Sequence, residues 1–155
     1  MTSPGRRLAM LVVATPLLAT PASLGCRTTP TQAHAPVVPP SAVPDVQEIS
    51  RGTHVELSEH LVAGKVTVFD FHAQWCKPCK EVDRHLAQVL ATRGDVAVRK
   101  IDVVDWDSEV AKTHLRYAPT LPYVVVFGVG GKEVAKISGL KLDALDQAIE
   151  RGSRK

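Results

Sequence analysis

The stretch "KVTVFDFHAQWCKPCKEVDRHLAQVLATRG" (65–94) constrains the chain more than any other. Residues 65–73 are dense in β-branched and aromatic side chains, the composition of a buried strand. From residue 82 the pattern changes period. Val82, Leu86, Val89 and Leu90 recur at i, i+4, i+7 and i+8, one face of a helix that Gly94 should end. A strand therefore runs directly into a helix, and Cys76 and Cys79 sit where the helix starts. Unpaired backbone N–H groups and the helix macrodipole favour an anion there, which favours the thiolate of Cys76. Cys79 lies one turn on, close enough to attack a mixed disulfide formed at Cys76. Pro78 suits the first helical turn, where a missing N–H costs little.

Other uses of two thiols stay open at this point. A metal site needs about four ligands. The six histidines (34, 54, 60, 72, 85, 114) show no paired spacing near the motif, although His72 and His85 flank it. A copper-chaperone-like module using Cys76, Cys79 and a histidine is one such reading. Haem attachment would need His where Lys80 stands. An inert disulfide would close only a tiny loop and make a poor staple.

The rest of the globular pattern surrounds this unit. "THVEL" (53–57) alternates like a short strand, and "SEHLVAG" (58–64) reads as a short helix capped by Ser58 and closed by Gly64. A strand is expected over 96–104, a helix over 107–115 and a strand over 122–129. Gly130-Gly131 makes a turn, a strand follows over 132–138, and a last helix carries Leu142, Leu145 and Ile149 on one face. Strands alternating with helices, then a hairpin, place the chain in the α/β class: a mixed central β-sheet flanked by helices.

The N-terminal part differs. Arg6 and Arg7, the apolar run Leu8–Leu18 and the small residues after it form an export signal over 1–26. "SLGC" resembles a bacterial lipobox, with Cys26 as the residue that receives lipid, although Ser23 stands where that motif usually has Leu. Lipidation would also remove the odd cysteine of the three. The competing reading is cleavage after Ala22. Residues 27–48 contain Pro30, Pro36, Pro39, Pro40 and Pro44 and read as an extended tether. At about 3.1 Å per residue, twenty residues of polyproline II span roughly 60 Å. The globular domain is expected over 49–155. Removing Arg6 and Arg7 from the 19 basic residues leaves 17 against 16 acidic ones, a balance that does not suggest nucleic acid.

"VFDFHAQWCKPCK" (68–80) resembles the active-site segment of the thioredoxins, whose usual form is V-D-F-W-A-x-W-C-G-P-C-K. Asp70, Trp75, Pro78 and Lys80 around the two cysteines make the likeness specific, and it extends over most of 49–152. The resemblance implies a thioredoxin fold and a thiol–disulfide oxidoreductase. Its active site would have Cys76 as nucleophile, Cys79 as resolving thiol and no cofactor beyond their disulfide. It also implies that Asp70, six residues before Cys76, moves a proton for Cys79. Burial inside an apolar strand would raise this carboxyl's proton affinity toward neutrality. Lys100 would be its basic partner. Pro122 in "TLPYVVVF" matches the cis-proline opposite the thiols, in preference to Pro119, and Leu121 would offer its backbone to a client chain. Trp75 reads as a surface aromatic beside the thiols.

The sequence departs from the family at Lys77, in place of Gly, at His72, in place of Trp or Tyr, and at Leu121, in place of Ile or Val. Lys77 should stabilise the neighbouring thiolate and make the couple more oxidising. The exported, strongly oxidising relatives usually carry His before the second cysteine and a helical insertion, and neither is present. The expected function is reduction of disulfides in exported proteins, in a bacterial periplasm, with lipid on Cys26 and electrons from a membrane thiol donor. A disulfide oxidase or isomerase and a non-catalytic adaptor remain the alternatives.

Overall fold

The computed structural model describes residues 43–154. The export signal, Cys26 and most of the expected tether lie outside the described residues. The elements run β1 (Val46–Arg51), β2 (Val66–His72), α1 (Cys79–Thr92), β3 (Val96–Asp102), α2 (Glu109–His114), β4 (Tyr123–Phe127), β5 (Glu133–Ser138) and α3 (Leu142–Gly152). One sheet carries all five strands in the order β1-β3-β2-β4-β5. β1, β3 and β2 are parallel, and β4 and β5 are antiparallel to their neighbours. This is the mixed sheet with flanking helices that the order of elements implies.

Alternation along β2 divides the core. Val66 and Val68 join Val82, Leu86 and Leu90 of α1 and Leu145, Ala148 and Ile149 of α3 on one face. Phe69 and Phe71 turn the other way, toward Val110, Ala111 and Leu115 on the α2 side. Every β2 residue from Val66 to Phe71 is buried. A strand covered by helices on both faces must be apolar nearly throughout. That requirement is why Asp70, buried within it, is conspicuous.

Two local expectations are corrected. The first strand is Val46–Arg51, inside and just beyond the expected tether, and "THVEL" is not a strand. Gly52, at φ 74°, turns the chain after β1. The His54 N–H then donates to Glu109 Oε2 instead of a sheet partner. The expected helix over 58–64 is a single 3₁₀ turn, Leu57–His60, with Glu56 at its cap position and no side-chain cap from Ser58. The next free N–H, that of Val62, donates to Thr67 Oγ1 at 3.0 Å.

Elsewhere the boundaries move by a residue or two. Pro78 occupies the N-cap position of α1, at φ −67°, one place before the first helical residue. Ser108 caps α2 by accepting from the Ala111 N–H at 3.2 Å. At the end of the sheet away from the cysteines, the Val129 N–H donates to the Gly152 carbonyl at 3.0 Å, tying the β4–β5 loop to the end of α3.

Candidate active site

β2 delivers the chain to the site. After His72 the backbone turns, with the Cys76 N–H donating to the Ala73 carbonyl at 3.0 Å, and α1 begins at Cys79. Cys76 and Cys79 are joined as a disulfide with Cα atoms 5.4 Å apart. Both are buried, packed with Ala73 and Leu121. The Cys79 N–H donates to Cys76 Sγ at 3.2 Å. This is the helix-start N–H that the position of Cys76 implies: a donor aimed at the first sulfur that would favour its anionic form.

The Leu121–Pro122 peptide bond is cis and Pro119 carries none. Pro122 is buried at the head of β4, and its carbonyl accepts from the Gly139 N–H at 2.8 Å. Leu121, by packing with the two cysteines, brings this segment to the disulfide.

Asp70 lies on the sheet face that α1 and α3 cover and is 0% exposed. Neither carboxyl oxygen has a hydrogen-bond partner. Burial pushes this carboxyl up from 3.8 to about 7, with the Lys100 charge opposing the rise and the Asp83 charge adding to it. Lys100 Nζ stands 3.7 Å from Asp70 Oδ2. The lysine's direct contact is with Asp83 Oδ1, a partner on α1 that the motif does not announce. His72, two residues on from Asp70, has its Nε2 buried without a partner. Burial first, and Lys100 second, hold this imidazole below its ordinary value. His85, the other histidine flanking the motif, is turned to Asp146 at 2.6 Å.

Trp75 is 54% exposed beside the thiols. Its indole N–H donates to the Val104 carbonyl at 2.7 Å, and its ring lies 5.9 Å from that of Trp106. Val104 holds φ at 64°, a left-handed conformation that a β-branched residue seldom adopts. The Asp102 carboxylate accepts from the Val104 N–H at 2.9 Å and so helps hold the turn. Beyond Trp106, a groove of about 450 Å³ is lined by Ala111, Lys112, Leu115, Arg116 and Pro119. Lys77 is exposed between the cysteines. Sequence reasoning missed Asp83, Val104 and Trp106. Asp83 and Val104 look like ordinary surface positions, whereas the aromatic residue in the polar run "DWDS" was a usable signal.

The comparisons agree with this geometry. The family described as Thioredoxin matches residues 49–151. Thioredoxin-2 of Saccharomyces cerevisiae is 35% identical over 95 residues, covering 61% of this chain and 88% of the yeast protein. Thioredoxin H2-1 of Oryza sativa subsp. japonica is 37% identical over 91 residues, 58% of this chain and 62% of its own length. Among solved structures, a point mutant of a thioredoxin from Halobacterium salinarum superposes with a TM-score of 0.55 at 28% identity, over 75% of this chain and 98% of that one. The short form of spinach chloroplast thioredoxin f shares the fold with a TM-score of 0.57 at 23% identity, over 74% and 99%. The match over two-thirds of the sequence, on a sheet that presents the Cys76–Cys79 disulfide at a helix start, shows that this chain belongs to the thioredoxin family of thiol–disulfide oxidoreductases.

Proposed function

We propose that the protein reduces disulfides of exported client proteins through a Cys76–Cys79 cycle. The observation that carries this reading is the site itself: a disulfide at the start of α1, a backbone N–H on the first sulfur, and a buried carboxyl on the strand that leads to it. In the reduced form the Cys76 thiolate attacks a client disulfide. The client S–S bond breaks, one client sulfur leaves as a thiolate and takes a proton, and a mixed disulfide forms at Cys76. Asp70 accepts the proton of the Cys79 thiol. The Cys79 thiolate then attacks Cys76 Sγ, expels the second client thiolate and closes the enzyme disulfide. Two electrons have passed to the client. Leu121, ahead of the cis-proline, is the backbone on which the client strand docks. Trp75 and the neighbouring Trp106 supply apolar contact.

The compartment follows from residues 1–26, whose pattern is that of an export signal. Outside the cytoplasm a reductase must be recharged from across a membrane, so a membrane thiol donor is part of the proposal, as is lipid on Cys26 holding the chain at that membrane. Lys77 favours a second reading, net oxidation or isomerisation, because a cation beside Cys76 stabilises its thiolate.

The potential of the Cys76–Cys79 couple decides between them. A value of about −270 mV supports a reductase, and one of about −120 mV overturns it. Insulin reduction by the wild type against Cys76→Ser tests the exchange chemistry, and equal rates would end it. Mass spectrometry of the mature N-terminus tests the anchor, which an unmodified Cys26 would sink.

A further inference from the structure

Lys100 stands between two carboxylates and is bound to the more exposed of them. Its Nζ is 3.7 Å from Asp70 Oδ2, beyond hydrogen-bond reach. It is in direct contact with Asp83 Oδ1. Asp83 lies on α1 one turn after Cys79, with its side chain 41% exposed. The arrangement is unusual for a buried acid. A lysine within reach of a desolvated carboxylate gains strongly by closing on it, because attraction grows as the surroundings dry. Here the lysine stops short, and both Asp70 oxygens remain unpartnered.

We propose that Asp83 is a positioning residue for the exchange reaction: by holding the Lys100 ammonium on the helix side, it keeps Asp70 out of a closed ion pair and leaves that carboxyl free to take the Cys79 proton. This rests on the exchange cycle proposed above and adds a third residue to the Asp70–Lys100 pair. The charged neighbours are few. β3 brings Lys100 and α1 brings Asp83. Along β2 stands His72. Glu48 on β1 is in register with Lys100, and Asp102 lies two residues further along β3. The remaining surroundings are apolar, with Val124 of β4 opposite Asp70 and Ile137 and Leu145 in the same core.

Asp83 acts on Asp70 in two ways with one sign. Its charge opposes a second ionised carboxylate nearby, and its grip on Lys100 weakens the attraction that would favour ionisation. Replacing it with a neutral residue therefore releases Lys100 toward Asp70, and Asp70 should hold its proton less tightly. A carboxylate held in that way is a weaker base for Cys79.

The experiment is a pH titration of the Asp70 carboxyl by carbon-13 NMR on the full chain, with the resonance identified by its loss in Asp70→Asn. In Asp83→Asn the midpoint should fall by about one pH unit, the scale of a cation closing on a carboxylate. Asp83→Ala should shift it the same way, which guards against a folding defect peculiar to one variant. Asp83→Glu should restore the wild-type midpoint. The lower limb of the pH profile for resolution of a mixed disulfide should move with it. In a Lys100→Met background the shift caused by Asp83→Asn should shrink. An unchanged midpoint in Asp83→Asn overturns the proposal. So does a full-sized shift without Lys100, since Asp83 would then act only by its own field. The midpoint is read on the carboxyl itself, so failure of the exchange reading, shown by an active Cys76→Ser, is a separate result.

Discussion

Replacing Asp70 with alanine should make the protein more stable at pH 8 and less useful. The wild-type carboxyl rises from 3.8 to about 7 in the folded chain. In the unfolded chain it titrates near its ordinary value. Between those two values the folded state binds the proton that the unfolded state has lost, so stability falls as pH rises through the window. Each pH unit is worth about 1.4 kcal/mol, and the gap of about three units amounts to roughly 4 kcal/mol once pH exceeds 7. Well below pH 3.8 both states hold the proton and the penalty is absent. Alanine removes the penalty but loses the packing of a buried carboxyl, at a cost of about 1 kcal/mol.

The variant should therefore be about 3 kcal/mol more stable than the wild type at pH 8, and about 0.5 kcal/mol less stable near pH 4, with a crossover between them. The assay is denaturant unfolding of the oxidised full chain at intervals from pH 4 to pH 8, with both proteins in the same buffers. Resolution of mixed disulfides should slow in the variant at the pH where its stability advantage is largest. A stability difference that stays flat from pH 5 to pH 8 would refute the account, because it would mean that Asp70 releases its proton at the same pH folded and unfolded.

Two other substitutions test the scaffold around the site. Val104, at φ 64°, carries a strain of about 1–2 kcal/mol that Asn tolerates better, so Val104→Asn should stabilise the chain by about 1 kcal/mol; a lowered melting temperature would contradict this. At the other end of the sheet, a Cβ on Gly128 would meet the Gly152 carbonyl oxygen at 3.0 Å. That oxygen is the acceptor for Val129, and the Gly152 Cα and the Val134 side chain close in at 3.3 Å. Gly128→Ala should cost about 1–3 kcal/mol in urea unfolding, and an unchanged midpoint would show that the α3 terminus yields freely.

The unit from β2 through the cysteines to α1 was legible because burial on both faces of a strand and one face of a helix leaves a plain apolar record. β1 was not. It is an edge strand whose residues are mostly exposed, and what holds it is backbone pairing with β3, which no side-chain pattern reports. "THVEL" alternates as a strand should, yet only Val55 of its residues is fully buried, and Gly52 has already turned the chain away from the sheet. Asp70 was legible as an acid out of place among Val and Phe. The contact of Lys100 with Asp83 was not, since it requires the register of β3 against β2 and the rotation of α1 above both. The choice of Pro122 over Pro119 came from family resemblance, as local sequence does not separate an ordinary X–Pro bond from a cis one. Val104 could not have been found, because a β-branched residue is among the last that local sequence would assign to a left-handed turn.

The parallel pairing of β1 with β3 also sets where the chain enters the domain. Val46 lies across from Val98, and Arg51 across from Asp102, so β1 runs toward the end of the sheet where β2 delivers the cysteines. Its own start is at the opposite pole, about 20 Å away at 3.3 Å per residue. There Asp45 is clamped by Lys65 and Arg99, each at 2.8 Å. Whatever precedes residue 43, a hold on it acts at the entry pole, opposite the disulfide. Tension on that hold would run along β1 and load its hydrogen bonds to β3 together in shear, so the edge strand least visible in the sequence is the domain's mechanical root.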